Sequence, residues 1–558
     1  MWQSDPVTAA LGSFGVWQGG SLFLIALVKV PAAWHMLSIL FLAPNPETFG
    51  GTYFCARNDS ESQKLVAPSE WIDRWHPKDK RYALGFNPCN TFLPGDIRDG
   101  NSSTSELIKC DNFEFLVQYP TMVSQWSLVC DRSVLVNVVQ FFYLLGITGG
   151  GIITYFISKK LSPRVLILGG ATLQVTAGVA LALQPIFEVH CLLKSLIGLG
   201  LCFMFTATHQ IIFDLTAGWR KIVLGVSFEH FWSIGVISLG WLHSIAGSWT
   251  NLQLIISVPS IIFLILFCFV PDSPRWLIAH KQFGKADELL IFAAHCNGKK
   301  LPNDFTTKKL ASGRGNEKPV EMKTSKFRII CAQIIWIGTV VNYYGALLNI
   351  KNVGGTSLPL RTTISGFAEI VGTFSGMILL LKPKYKFGFL SLLLFVGGTC
   401  CVCSWLIPPN ESGGRAGWTM VWLAFVGRIA IACSLAMMSN GASAQLIAPS
   451  GPFLGMILVT VARMCLMAAP FLNSLAFYGE SITLSFYGGL ALMAASAAFA
   501  LFISSEWRIR ELVNAINNTP TGKVWSVHSQ TTSVSEEKVV CTNINWCFED
   551  DDGNVKLY

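Results

Sequence analysis

The sequence predicts an all-α membrane protein with about twelve spans, and three observations carry that prediction. Only 13% of its 558 residues are charged while 52% are apolar, where a soluble chain carries roughly 25% charge. Apolar stretches of roughly 18 to 25 residues, each long enough to cross about 30 Å of hydrocarbon as a helix, recur along nearly the whole length. Basic residues gather in alternate connections between those stretches, as the positive-inside rule requires of a chain that threads back and forth.

Taken in order, the expected spans cover residues 21–42, 134–157, 165–184, 188–214, 223–246, 252–270, 329–350, 362–381, 387–408, 417–438, 453–475 and 481–504. The first stretch lacks a basic run before it and carries Lys29 and His35 inside it. It therefore reads as a permanent span rather than a cleaved leader, with residues 1–20 as an N-terminal segment. A polar loop, residues 43–133, follows and holds Cys55, Cys89, Cys110 and Cys130. An even cysteine count on a non-cytosolic face favours two disulfides, whose connectivity the sequence leaves open. The sequons at Asn58 and Asn101 in that loop, and at Asn410 in another, fall on the same side.

Lys159, Lys160 and Arg164 flank one short connection, Arg220 and Lys221 another, Lys382, Lys384 and Lys386 a third. Residues 271–328 add many more and form a basic, Ser/Gly/Lys-rich linker with short amphipathic helices. These connections and both termini are expected in the cytosol, with the chain multi-pass in the plasma membrane. The linker divides six spans (21–270) from six (329–504), the plan of carriers built from two similar bundles around a midplane site. The tail, 505–558, is polar, ends in an acidic run and is expected to be disordered.

The net charge of +8 is accounted for by these loops, so nucleic acid is not an expected partner; the bilayer and a small organic ion are. No P-loop, HExxH, GxSxG or clustered Cys/His set occurs, so the chain is expected to be no enzyme and to need neither cofactor nor metal. Residues that would coordinate a coupling ion are not legible.

After the sixth span comes Val270-Pro271-Asp272-Ser273-Pro274-Arg275-Trp276-Leu277-Ile278, followed by Gly284, Lys285 and Ala286. With Leu11-Gly12-Ser13-Phe14-Gly15 at the start and Trp126-Ser127-Leu128-Val129-Cys130-Asp131-Arg132 before the second span, this resembles the organic cation/anion/zwitterion transporter family (solute carrier family 22-like) of the major facilitator superfamily. The likeness covers nearly all of residues 8–505, and the first span looks most like insect members. It implies the major facilitator fold, two six-helix bundles that rock about a central site, and transport of small organic ions. The alternative is a receptor or binding protein that keeps the fold and no longer cycles. Where the family has Ser-Asp-Arg-Phe-Gly-Arg-Arg, this chain has Ser158-Lys159-Lys160-Leu161-Ser162-Pro163-Arg164, so an acid is replaced by lysine. After the tenth span the family's Glu and Arg fall at Gln445 and Pro452. Asp214 and Lys221 keep the family's charge types, and with Arg275 they are the expected gating residues.

Ionisable groups within a span are costly unless they face protein or water, which makes each a candidate: Lys29, His35, Lys194, His209, Asp214, Glu229, His230, His243, Glu369, Arg428 and Arg463. Glu369, at a position where cation- and zwitterion-handling relatives carry an acid, is the expected site for a cationic group. Arg463, where anion and zwitterion members have arginine, offers bidentate contact to a carboxylate. Both could instead be structural, paired to neighbouring helices or to each other. Tyr343, Tyr344, Phe231 and Trp232 are the aromatic candidates for contact with an ammonium group. The expected cargo is therefore a small organic ion: an organic cation or a zwitterion, such as a carnitine-like or β-alanine-like amine, with organic anions as a further class.

Overall fold

The computed structural model describes residues 6–12, 14–44, 52–55, 89–92, 107–109, 112–116, 119–302, 305–308, 325–352, 357–381, 385–404, 415–442, 451–477, 480–517, 547–549 and 555–557. Among these, 12 helices are long and apolar enough to cross a membrane: spans one to six are Val16–Leu42, Cys130–Ile157, Pro163–Leu183, Phe187–Leu215, Trp219–Ala246 and Trp249–Phe267. Spans seven to twelve are Lys326–Leu348, Leu358–Leu380, Lys386–Cys403, Trp422–Asn440, Phe453–Ala476 and Ile482–Ser505. Helix is the only open-ended structure that satisfies its own backbone in hydrocarbon.

Local chemistry sets where these helices start, stop and break. Ser162 accepts from the Val165 amide with Pro163 opening span three, and Ser248 accepts from the Asn251 amide at the start of span six. Gly247 ends span five in the left-handed region at φ 66°. Proline interrupts from inside: span one breaks near Pro31 into Val16–Ala26 and Lys29–Leu37, and span six breaks at Pro259 into Trp249–Ser257 and Ser260–Phe267.

Within each half, helices approach through glycine. A Cβ on Gly146 of span two would lie 2.0 Å from the Ser195 carbonyl of span four, and one on Gly198 of span four 2.2 Å from the Tyr143 carbonyl of span two. The second half repeats the device: Gly372 and Gly376 of span eight lie against the Ile429 and Cys433 carbonyls of span ten. Gly146 and Gly150, like Gly372 and Gly376, are one small-xxx-small step apart, so corresponding spans of the two halves pack by the same rule.

The halves meet along two seams. Span two meets span eleven through Asn137 donating to Ser474 (2.6 Å) and Phe141 against Phe471 (6.0 Å). Span five meets span eight where Gly240 faces Pro359 and Thr362, and where Gly366 faces Ile237 and the Ser233 carbonyl.

The first long loop contains two antiparallel strand pairs, Thr52–Cys55 with Phe113–Leu116 and Asn90–Phe92 with Leu107–Lys109. Cys89 and Cys130 are bonded, with Cα atoms 5.7 Å apart. The side chain of Cys55, together with Cys110, Asn58, Asn101, Asn410 and Gln445, lies outside the described residues. The linker contains Pro274–Ala279 and Phe283–Cys296. The last helix carries on past 505, through a stretch expected to be disordered, to Asn517. Farther along the tail, Cys547–Glu549 pairs with Val555–Leu557.

Candidate functional site

Two charge clusters, one in each half, face each other near the middle of the spans. In the first half Lys29 of span one donates to both carboxylate oxygens of Glu229 of span five, at 2.9 and 2.8 Å. The same ammonium stands over the Phe205, Phe228 and Trp232 rings at 4.1, 4.8 and 6.0 Å. His209 of span four donates through Nδ1 to its own helix at the Phe205 carbonyl, leaving Nε2 3.9 Å from Glu229. A buried lysine is tolerated here because a carboxylate and three aromatic faces replace the water it loses.

In the second half Glu369 of span eight accepts from the Tyr343 hydroxyl of span seven and from Arg428 of span ten, the latter at 3.1 Å. Arg428 also donates to the Tyr343 carbonyl (3.0 Å) and lies over the Tyr343 ring at 4.2 Å. With Glu369 2% and Arg428 8% exposed, this is a desolvated ion pair joining three helices. Tyr344 bridges the clusters, its ring 4.7 Å from that of Tyr343 and 6.3 Å from that of Trp232 in the first half.

Arg463 of span eleven differs from both pairs. It donates to the Cys202 thiol at 3.2 Å and crosses to Gly151 of span two, which has no side chain to exclude it. Among the described residues no carboxylate comes within ion-pair distance of it. Its charge reaches His209 and Tyr344, so it belongs to the same central region. Glu229 and His209 keep 19% and 28% of their side-chain surface open.

The other candidates separate. Phe231 turns away from Trp232, as neighbours about 100° apart on a helix must. With Phe14, Phe23 and Phe228 it lines an open apolar crevice of about 180 Å³ between spans one, four and five. His230 and His243 take no part in the clusters. Lys29, Glu229 and Arg428 were visible as ionisable residues, but nothing in the sequence paired them.

At the linker end, Asp214 closes span four and accepts from Ser273 of the Pro274–Ala279 helix. Arg275 donates to the Phe213 carbonyl (2.9 Å) and Thr8 (3.4 Å), and Lys221 sits over the Phe213 ring at 4.6 Å within the fields of Asp214 and Arg275. The three expected gating residues therefore converge. The same short helix docks on the 158–164 connection, where lysine replaced the family's acid: Trp276 donates to the Ser158 carbonyl (3.2 Å) and His280 meets the Lys159 carbonyl (2.9 Å). Backbone carbonyls need no acidic side chain to receive these donors.

His280 has a second carbonyl, that of Trp276, 2.9 Å from its other ring nitrogen. Only the imidazolium donates to both, which raises its pKa above 6.5. A raised folded-state pKa contributes stability that is fully present below pH 6.5 and is lost as pH rises through the folded value. Backbone amides in 274–280 are therefore expected to exchange faster with deuterium at pH 8 than at pH 6, after correction for intrinsic rates. His280→Gln should abolish that difference. Equal protection of 274–280 at both pH values in the wild type would contradict it.

Comparison with known proteins agrees with this architecture. The sequence profile of the family described as "Sugar (and other) transporter" matches residues 100–503. Solute carrier family 22 member 3 of Rattus norvegicus is 24% identical over 452 residues, covering 75% of this chain and 80% of its own. The organic cation transporter protein of Drosophila melanogaster is 25% identical over 451 residues (77% and 79%). The organic cation/carnitine transporter 2 of Rattus norvegicus is 24% identical over 549 residues (94% and 96%). Among solved structures, the xylose transporter XylE from E. coli in a partially occluded inward-open conformation aligns with a TM-score of 0.56 at 14% identity, covering 87% of this chain and 97% of that one. Because the family match runs from the first long loop through span twelve, across both helical halves, the chain belongs to the sugar (and other) transporter family as a membrane transporter of the major facilitator, solute carrier family 22 type.

Proposed function

We propose that the chain carries small organic ions bearing a carboxylate, zwitterions foremost, by alternating access about the midplane clusters. The observation behind this is a charge balance. Glu229 and Glu369 already have cationic partners in Lys29 and Arg428, whereas Arg463 donates to a thiol and has no carboxylate partner among the described residues. A fixed guanidinium recognises a carboxylate through two parallel hydrogen bonds. The ammonium end of a zwitterion would meet the Tyr344 ring and the open edge of Glu229. The relatives named as organic cation/carnitine transporters fit a carnitine-like cargo. The two halves would rock along the two seams described above. The linker face would lie in the cytosol, at the plasma membrane.

The test is uptake of a panel of labelled cations, anions and zwitterions by the wild type, Glu369→Gln and Arg463→Ala. Loss of a charged bidentate contact, about 1.5–3 kcal/mol, predicts that Arg463→Ala lowers kcat/KM for carboxylate-bearing cargo by roughly tenfold to a hundredfold and spares simple cations. Undiminished anion and zwitterion uptake by Arg463→Ala would defeat the reading. Binding by the wild type without uptake would point instead to a receptor with the carrier fold.

A further inference from the structure

The first half holds a second buried polar cluster, separate from the midplane charges. Lys194 of span four is 1% exposed, three helical turns and about 16 Å from Phe205 by helical rise. Its ammonium has three donors, and one of them goes to the Ser38 hydroxyl of span one at 2.9 Å. Ser38 in turn donates to the His35 carbonyl (3.0 Å). No carboxylate among the described residues pairs with Lys194, unlike Lys29, whose counter-ion the fold supplies.

The same bundle buries further polar groups that have no hydrogen-bond partner among the described residues. His35 and His190, 1% and 0% exposed, have no hydrogen-bond partner for either ring nitrogen among the described residues, and both lie within the field of Lys194. The side-chain amide of Gln174 in span three, 2% exposed, is likewise unpartnered at both ends. Span three brings Gly178 against the His35 ring and Ser257 of span six, and Gln253 donates to the Gly178 carbonyl at 3.2 Å. His190 lies one turn from Lys194 toward the end carrying the 43–133 loop, between the Trp126 and Trp249 rings (5.1 and 5.8 Å). These aromatic walls seal the cluster from that face.

An uncompensated buried ammonium is costly. What the cluster lacks is negative charge: Lys194 has further donors beyond the one that Ser38 accepts, and no carboxylate among the described residues to receive them. We propose that Lys194, with the His35 ring on the neighbouring span one, binds a monovalent halide within the first six-helix bundle. The halide would serve as the counter-ion the sequence does not provide. This site is independent of the Arg463 reading, since it lies in another layer of the bundle and uses none of its residues.

The full chain, purified in detergent, is to be unfolded thermally in sodium chloride and in sodium gluconate at equal ionic strength. Chloride should raise Tm, saturating with concentration, by a shift on the order of 2 °C. Lys194→Gln should lose that increment and Arg463→Ala should keep it. Equal Tm in the two salts, or an increment that survives Lys194→Gln, overturns the proposal. Should Lys194→Gln fail to fold, wild-type crystals grown in bromide decide the matter. An anomalous peak beside Lys194 Nζ supports the site, and a map with no peak there overturns it.

Discussion

Arg428→Met is expected to cost about 3–5 kcal/mol of stability, because it strands a carboxylate in the protein interior. Glu369 is 2% exposed and its partners are Arg428 and the Tyr343 hydroxyl. Removing the guanidinium leaves one neutral donor for a charge that has given up its water. The backbone carbonyl of Tyr343, which now accepts from Arg428 at 3.0 Å, loses its donor as well. The damage belongs to the orphaned charge rather than to the lost bond. The double variant Arg428→Met with Glu369→Gln is therefore expected to recover much of the loss, as replacing both members of a buried pair commonly does. Thermal unfolding and the yield of monodisperse protein in detergent measure both. Wild-type stability in Arg428→Met would show that the pair does not carry the packing of spans seven, eight and ten.

The second large effect lies in the first half, where one helix offers its own control. Gly146→Ala in span two places a methyl 2.0 Å from the Ser195 carbonyl, and Gly198→Ala places one 2.2 Å from the Tyr143 carbonyl. The atoms met are backbone, so no rotamer change relieves the contact; spans two and four must part by about an ångström, at about 1–3 kcal/mol for each variant. Both are relieved by the same separation, so the double variant should cost less than the sum. Gly149→Ala, in the same helix but with nothing within 4 Å of the new Cβ, should be neutral or gain up to about 1 kcal/mol from helix propensity. A thermal-unfolding series in which Gly146→Ala and Gly149→Ala behave alike would refute this account of the packing.

These two cases show where sequence and structure part company. The glycines of span two are visible in the sequence as a cluster, and close helix approach is the reading their chemistry suggests. Which of them is indispensable depends on which face of the helix is buried, and a run as dense as Gly149, Gly150 and Gly151 has no face of its own. The charges divide in the same way. Glu369 and Arg463 stand out because ionisable residues are rare in spans. Yet the partner of Glu369 is Arg428, 59 residues away, and that of Glu229 is Lys29, 200 residues away. With these pairings known, Arg463 rather than Glu369 carries the unmatched midplane charge. The Pro274–Ala279 segment was legible as part of a motif, but not its docking on the carbonyls of Ser158 and Lys159.

The number of spans and their order along the chain were legible from the sequence alone. Those properties follow from the thickness of a bilayer and from backbone hydrogen bonding, both of which act on consecutive residues. Tertiary structure alone decided which buried charges neutralise one another and which are left to meet a solute. That choice depends on how helices distant in the chain are rotated about their own axes, and packing against neighbours, not any local run of residues, sets the rotation.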